Sequence, residues 1–317
     1  MPTSYAYFQK HIMPLDQAKV PVMTHAFLYG TGVFEGIRGN WSDERGECLL
    51  FRPREHFERL KMSGQIMYID VPQSADELTD ICRRVVERCG FREDVYIRPI
   101  AYKSGEVIGP RLHDVEDDFL LFVLPFGNYL DLDSGIRCQT STWRRVPDTS
   151  IPARAKVTGL YVNSALAKTE AMQNGFDEAI MLNDDGHVSE GSGENIVIVR
   201  HGRLITPARS DNVLEGITLA SVFELARAEL GLDIIERTID RTELYVADEC
   251  FLTGTAAHLS PVVEVDRRRI GTGGVGPITS RLQKLFFDCI RGRNAKYAQW
   301  VTAVKPVAEP AAAKINA

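Results

Sequence analysis

Lys156 stands in Ile151-Pro-Ala-Arg-Ala-Lys-Val-Thr-Gly-Leu-Tyr161, flanked by apolar and small residues. A lysine held among such neighbours is a candidate for Schiff-base chemistry, although a solvated lysine with a buried stem fits the same local pattern. Ser189-Glu-Gly-Ser-Gly-Glu-Asn195 puts two carboxylates, Glu190 and Glu194, in a glycine-interrupted turn between strands. A fixed carboxylate there could hold a proton on a ring nitrogen, and the plainer reading is a polar hairpin. Leu214-Glu-Gly-Ile-Thr218 opens an amphipathic helix, and Gly216 at its entry allows close backbone approach. The free N–H groups of that first turn suit a phosphate, unless they face water. Thr253-Gly-Thr-Ala-Ala257 ends a strand in small residues whose amides could form a second anion nest.

Two arginines invite a similar choice. Arg59 lies four residues after Glu55, so it reads as half of a surface ion pair or, where its helix faces a cleft, as a phosphate ligand. Tyr96 and Arg98 share one face of a strand, because residues i and i+2 point alike, and an inward Arg beside a Tyr makes a carboxylate receptor. Other chemistries lack support. Gly271-Thr-Gly-Gly-Val-Gly276 matches the dinucleotide pattern, but Asp266-Arg-Arg-Arg269 separates it from the last apolar strand and Asp288 follows too soon. It reads as a turn into a helix. There is no G-x-S-x-G serine elbow, and neither the histidines nor the cysteines show metal-site spacing, so no metal is expected.

These residues need elements to carry them. The 317-residue length implies two domains, and 44% hydrophobic with 25% charged residues is a globular composition. A net charge of −6 argues against a nucleic-acid or basic membrane-surface partner. Scattered cysteines and the absence of a signal-peptide pattern point to the cytoplasm. The longest apolar run, Phe119–Phe126, is far below the roughly 18 residues that span a bilayer and reads as a buried strand. Apolar spacing predicts helices from Pro53, over Ala75–Cys89, from Gly159 or Leu160 to Asn174, over Gly216–Leu230 and over Pro277–Arg291. Strands are expected at Tyr5–Phe8, Ile12–Met13, Cys48–Phe51, Val95–Ala101, Phe119–Leu124 and Arg137–Ser141. Others follow at Glu178–Leu182, Val188–Ser189, Ile196–Val199, Leu204–Ile205, Ile234–Arg237, Glu249–Leu252 and Val262–Val265. Without strict alternation the class is α+β. The expected division is a small domain over 1–126, a linker over 127–135, a larger cofactor-binding domain over 136–303 and a disordered tail over 304–317.

Taken together, the segments resemble the branched-chain amino acid aminotransferases, in the fold-type IV group of pyridoxal-phosphate enzymes. The resemblance runs from about Tyr7 to Trp300. It rests on Tyr29-Gly-Thr-Gly-Val-Phe-Glu-Gly-Ile-Arg38, His56-Phe-Glu-Arg-Leu60, Tyr96-Ile-Arg-Pro99, Ile151–Lys156, Ser189–Asn195, Leu214–Thr218, Leu244-Tyr-Val-Ala-Asp-Glu249 and Gly254-Thr-Ala-Ala257. It implies a small N-terminal α/β domain and a larger pseudo-barrel domain, with the active site between them. It also implies pyridoxal 5'-phosphate held as an internal aldimine on Lys156, the catalytic lysine. Glu190 then matches the carboxylate at the pyridine nitrogen, Tyr161 the hydroxyl beside the ring oxygen, and Leu214 a residue packed near the ring. Arg59, Gly216, the amides of Ile217 and Thr218, and Thr255 match the phosphate cup.

For substrate, the resemblance assigns Phe34, Gly36, Tyr96, Phe126 and Tyr129 to the pocket and the Ala256 and Ala257 amides to the α-carboxylate. Arg98 matches the acceptor of glutamate's distal carboxylate, and Tyr29 completes a neighbouring subunit's pocket, which implies a homodimer. The implied reaction moves the amino group of Leu, Ile or Val to 2-oxoglutarate in two half-reactions. A D-amino acid or (R)-amine transaminase, or an aminodeoxychorismate-type lyase, would share the cofactor. The chain departs from the family at Lys103–His113, at Phe126, where many members have Trp, and at His258, where an acidic residue is frequent.

Overall fold

The computed structural model describes residues 3–127 and 130–306. Two long strands, Val95–Lys103 and Asp117–Pro125, pair antiparallel over their full length and form the middle of a first sheet. Its strand order is Val301–Val304, Glu47–Phe51, Ile37–Ser42, Val95–Lys103, Asp117–Pro125, Tyr5–Phe8 and His11–Pro14, with Gly32–Phe34 also pairing Val95–Lys103. Helices Pro53–Ile66 and Ala75–Cys89 share a core with this sheet. Local chemistry fixes their ends. Proline opens the first, and the second has a reciprocal Ser74–Glu77 capping box and a left-handed Gly90 after it.

Side-chain alternation decides what faces where. Val95, Ile97 and Ala101 are buried in the core shared with the helices, which turns Tyr96 and Arg98 to the opposite face. The second sheet has the order Val188–Gly191, Glu178–Leu182, Ile136–Arg144, His258–Val265, Glu249–Gly254, Asn195–Arg200, Arg203–Thr206 and Ile234–Glu236, with Arg268–Arg269 pairing off this path. It is mixed. Ile136–Arg144 runs parallel to both of its neighbours, and Arg203–Thr206 runs parallel to Ile234–Glu236. Helices Tyr161–Gln173 and Ile217–Leu230 provide the crossovers that parallel pairs need. The α+β class holds.

Three stretches differ from expectation. The Gly-punctuated segment holds helix His25–Tyr29 and strands Gly32–Phe34 and Ile37–Ser42. Gly39 belongs in a strand because a Cβ there would lie 2.5 Å from Cys48 Sγ and 2.6 Å from Val95, so only glycine lets three strands close up. Strand His258–Val265 begins four residues earlier than the apolar run, since a hairpin pairs Gly254 with His258. Val301–Val304 pairs with Glu47–Phe51 at the edge of the first sheet, so the expected large domain and tail meet inside a strand whose last residue is buried. The remainder of the expected tail, from 307, lies outside the described residues. Among the described residues no helix is long and apolar enough to cross a membrane, and no cluster could hold a metal ion.

Candidate active site

Ala155 and Val157 are buried in the first core, and alternation turns Lys156 away from it. The lysine backbone is tied on both sides. Its N–H donates to Ser63 Oγ at 3.2 Å, and its C=O accepts from the Phe34 N–H at 3.0 Å. Thr158–Leu160 makes one 3-10 turn into helix Tyr161–Gln173, folding the chain back so that Lys156 Nζ donates to Tyr161 Oη at 2.7 Å. That reversal brings together side chains that no helix or strand spacing would pair. The Phe34 ring meets Tyr161 edge-on at 4.7 Å and lies 5.2 Å from Lys156 Nζ.

Glu190 faces the same cavity as Lys156, Tyr161, Leu214 and Glu194. The carboxylate is not in the turn, as expected, but within strand Val188–Gly191, at an irregularity between the paired residues Val188 and Gly191. Its Oε1 forms an ion pair with Arg145 Nη2 at 2.6 Å, and Oε2 accepts from Asn195 Nδ2 at 3.0 Å and the Leu214 N–H at 3.1 Å. Burial pushes the Glu190 carboxyl up, with Arg145 opposing. Glu194 is pushed up further, to about 8, by burial and then by the charge of Glu178.

Asn195 also ties the next segment, donating to the Leu214 C=O at 2.8 Å. Gly216 packs directly on this amide, because a Cβ there would lie 1.9 Å from Asn195 Oδ1. Helix Ile217–Leu230 then begins with no side-chain cap, leaving the first-turn amides of Ile217 and Thr218 without one. The contrast is the Gly271–Gly276 turn. There Glu249 accepts from the amides of Ile278 and Thr279 at 3.0 and 2.7 Å, so the protein's own carboxylate fills the anion position.

Arg59 is not paired with Glu55, which binds Arg52 at 2.8 Å instead. Its helix turns it inward, where Nε and Nη2 grip Glu35 at 2.7 and 2.8 Å. Nη1 donates to the Glu215 C=O at 2.7 Å, immediately before Gly216. His56 Nδ1 lies 2.7 Å from the same carboxylate. Burial favours a neutral Glu35, but Arg59 and His56 outweigh it and hold the carboxyl at about 2. Arg59 spends three of its five N–H groups this way and keeps two for a ligand.

Beyond Phe34 lies a second group. Arg98 stacks on the Phe34 ring at 4.4 Å and donates to Tyr96 Oη at 2.9 Å, and Tyr96 packs on Phe126 at 5.2 Å. Arg98 Nε is buried with no hydrogen-bond partner. Gly36 is required here, since a Cβ would lie 2.2 Å from Tyr96 Oη. Thr255, Ala256 and Ala257 form the hairpin turn next to Glu194, against whose Cγ a Cβ on Gly254 would press at 3.2 Å. Tyr29 is not brought into this group. It is exposed, and its hydroxyl accepts from the Gly109 N–H at 3.1 Å. Tyr129 lies outside the described residues.

Arg145, Glu35, His56 and Asn195 escaped the sequence reading as site residues. Glu35 carried a signal, being one charge inside the apolar run Val33–Ile37. Arg145 carried none, since its partner is 45 residues away.

The amino-transferase class IV family model matches residues 32–265, well over half of the chain. The chain belongs to the class IV aminotransferases. Relatives include a probable branched-chain-amino-acid aminotransferase of Aquifex aeolicus, 48% identical over 95% of this chain and 96% of that one. The branched-chain-amino-acid aminotransferase of Escherichia coli K12 is 38% identical over 95% and 97%. Among solved structures, the branched-chain aminotransferase of Thermoproteus uzoniensis with norvaline has a TM-score of 0.90 at 42% identity, covering 95% of this chain and 98% of that one. The branched-chain amino acid aminotransferase of Thermobaculum terrenum in its PLP-form has a TM-score of 0.89 at 36% identity, covering 95% and 98%. This aminotransferase therefore has the fold-type IV architecture.

Proposed function

We propose that the chain transfers the amino group of branched-chain L-amino acids to 2-oxoglutarate, with pyridoxal 5'-phosphate carried covalently on Lys156. The observation that carries this reading is one cavity lined by Lys156, Tyr161 and Glu190, beside an uncapped helix start. The donor set fits the cofactor. A buried carboxylate matches a protonated ring nitrogen, Tyr161 Oη matches a ring oxygen, and the Ile217 and Thr218 amides with the spare Arg59 N–H groups match a phosphate. Bound pyridoxal phosphate supplies the electron sink for the carbanion formed when a substrate Cα loses its proton.

The chain's own residues do the rest. Lys156 Nζ moves the proton, and Tyr161 Oη, 2.7 Å away, holds that nitrogen in place. Arg145 and Asn195 fix the Glu190 oxygens, so the carboxylate meets a ring cation without reorganising. Arg98 offers its unpartnered Nε to a distal carboxylate, while Phe34, Tyr96 and Phe126 line the path for an alkyl side chain. One pocket thus serves two substrates in alternating half-reactions. We infer a homodimer as well, because Val22, Phe27 and Ile108 are exposed together with Tyr29.

Single half-reactions test the reading. L-leucine and L-glutamate should each bleach the visible absorbance of the holoenzyme, whereas D-alanine and an (R)-amine should not. A Lys156→Ala protein should lack that absorbance. No response to L-leucine would overturn the substrate assignment, and an unchanged spectrum in Lys156→Ala would overturn the lysine assignment.

A further inference from the structure

Phe126 and Gly127 follow the strand Asp117–Pro125, and one buried side chain holds both from behind. Arg38 is 2% exposed, its Nη1 and Nη2 donate to the Gly127 C=O at 3.1 and 3.2 Å, and its guanidinium covers the Phe126 ring at 5.0 Å. Arg38 stands directly across the ladder from Tyr96, the other ring against Phe126. Asp94 lies 3.6 Å from Arg38 and accepts the Phe126 N–H through its C=O at 2.9 Å. Yet Asp94 is already claimed. Arg291 grips it at 2.5 and 2.7 Å, and the Trp41 N–H donates to it at 2.8 Å.

Arg38 is therefore a buried cation with a shared counter-ion, and its Nε is buried without a partner. Such a group is costly, and an apolar side chain of similar volume would pack the strand at lower cost. What only a guanidinium does here is fork onto one carbonyl while covering a ring with its flat face. We propose that Arg38 is a positioning residue that sets the Phe126–Gly127 wall of the substrate pocket and so tunes the fit of branched side chains. The proposal rests on the reading in which Phe126 lines that pocket.

The test uses holoenzyme and single-turnover half-reactions across L-leucine concentrations, in wild type, R38K, F126A and the double variant. R38K keeps the charge beside Asp94 but loses the fork. The concentration of L-leucine at half-maximal rate should rise roughly tenfold in R38K, with a much smaller change in the maximal rate. F126A should raise it too, and the two effects should be clearly non-additive. Additive effects would overturn the proposal while leaving the pocket reading intact. An F126A enzyme that handles L-leucine as wild type does would overturn the pocket assignment and the proposal with it. R38K protein that loses both the visible absorbance and its thermal stability would make Arg38 a brace of the fold, which also overturns it.

Discussion

Removing the Arg145 side chain would leave Glu190 buried with two amide donors and without its ion-pair partner. Burial already pushes that carboxyl up, so an Arg145→Met variant should protonate it and weaken its hold on a ring cation. The expected result is a half-reaction slower by about 100-fold and looser cofactor binding, read by stopped flow and by titration of the apoprotein. Glu194 gives a prediction of opposite kind. Its folded value of about 8 lies above its ordinary 4.5, so the fold holds a proton there that the unfolded chain releases. Stability is then lost as pH rises from 4.5 to 8, and Glu194→Gln apoprotein should show a smaller fall in Tm across that window than wild type. An equal fall in both proteins would mean that Glu194 is ionised in the fold. Lys156, Glu190 and Gly216 stood out in the sequence as candidates, each open to a plainer local reading until the eight segments were taken together. Glu35 and Arg145 were not, because long-range partners, Arg59 and Glu190, give them their roles.

Two helices of equal length show how much a few residues at an element's start decide. Ile217–Leu230 opens uncapped behind Gly216, whereas Pro277–Ile290 opens onto the Glu249 carboxylate. Gly216→Ala should force Asn195 away from Glu190 and Leu214, costing about 1–3 kcal/mol of stability and weakening cofactor retention together. Thermal denaturation with and without added cofactor would check this. Loss of stability alone would mean that Asn195 relaxes elsewhere. Periodicity found both helices, as it found Ala75–Cys89, because each keeps an apolar stripe over three or more turns. It did not find Ile37–Ser42 or Val301–Val304, which are short or glycine-bearing and become strands only through the neighbours they meet.

At the scale of the molecule, the Asp94 carboxylate joins the first sheet to the end of helix Pro277–Ile290 through Arg291. Burial opposes the charge on Asp94, but hydrogen bonds from Arg291 and Trp41 hold its carboxyl below the usual range. That contribution is present above the unfolded value of 3.8 and is lost as pH falls through the folded one. An Arg291→Met protein should therefore unfold at lower urea, by roughly 1–3 kcal/mol at neutral pH, with a smaller deficit in acid. The strand Val301–Val304 ties the same two parts together from the other direction, and Trp300 just before it packs on Phe51. A chain emerging from the ribosome thus exposes Glu47–Phe51 as a bare edge for nearly the whole of its synthesis. The edge of the first sheet can close only once Val301–Val304 has been made, so the order of synthesis sets which strand of this half is covered late.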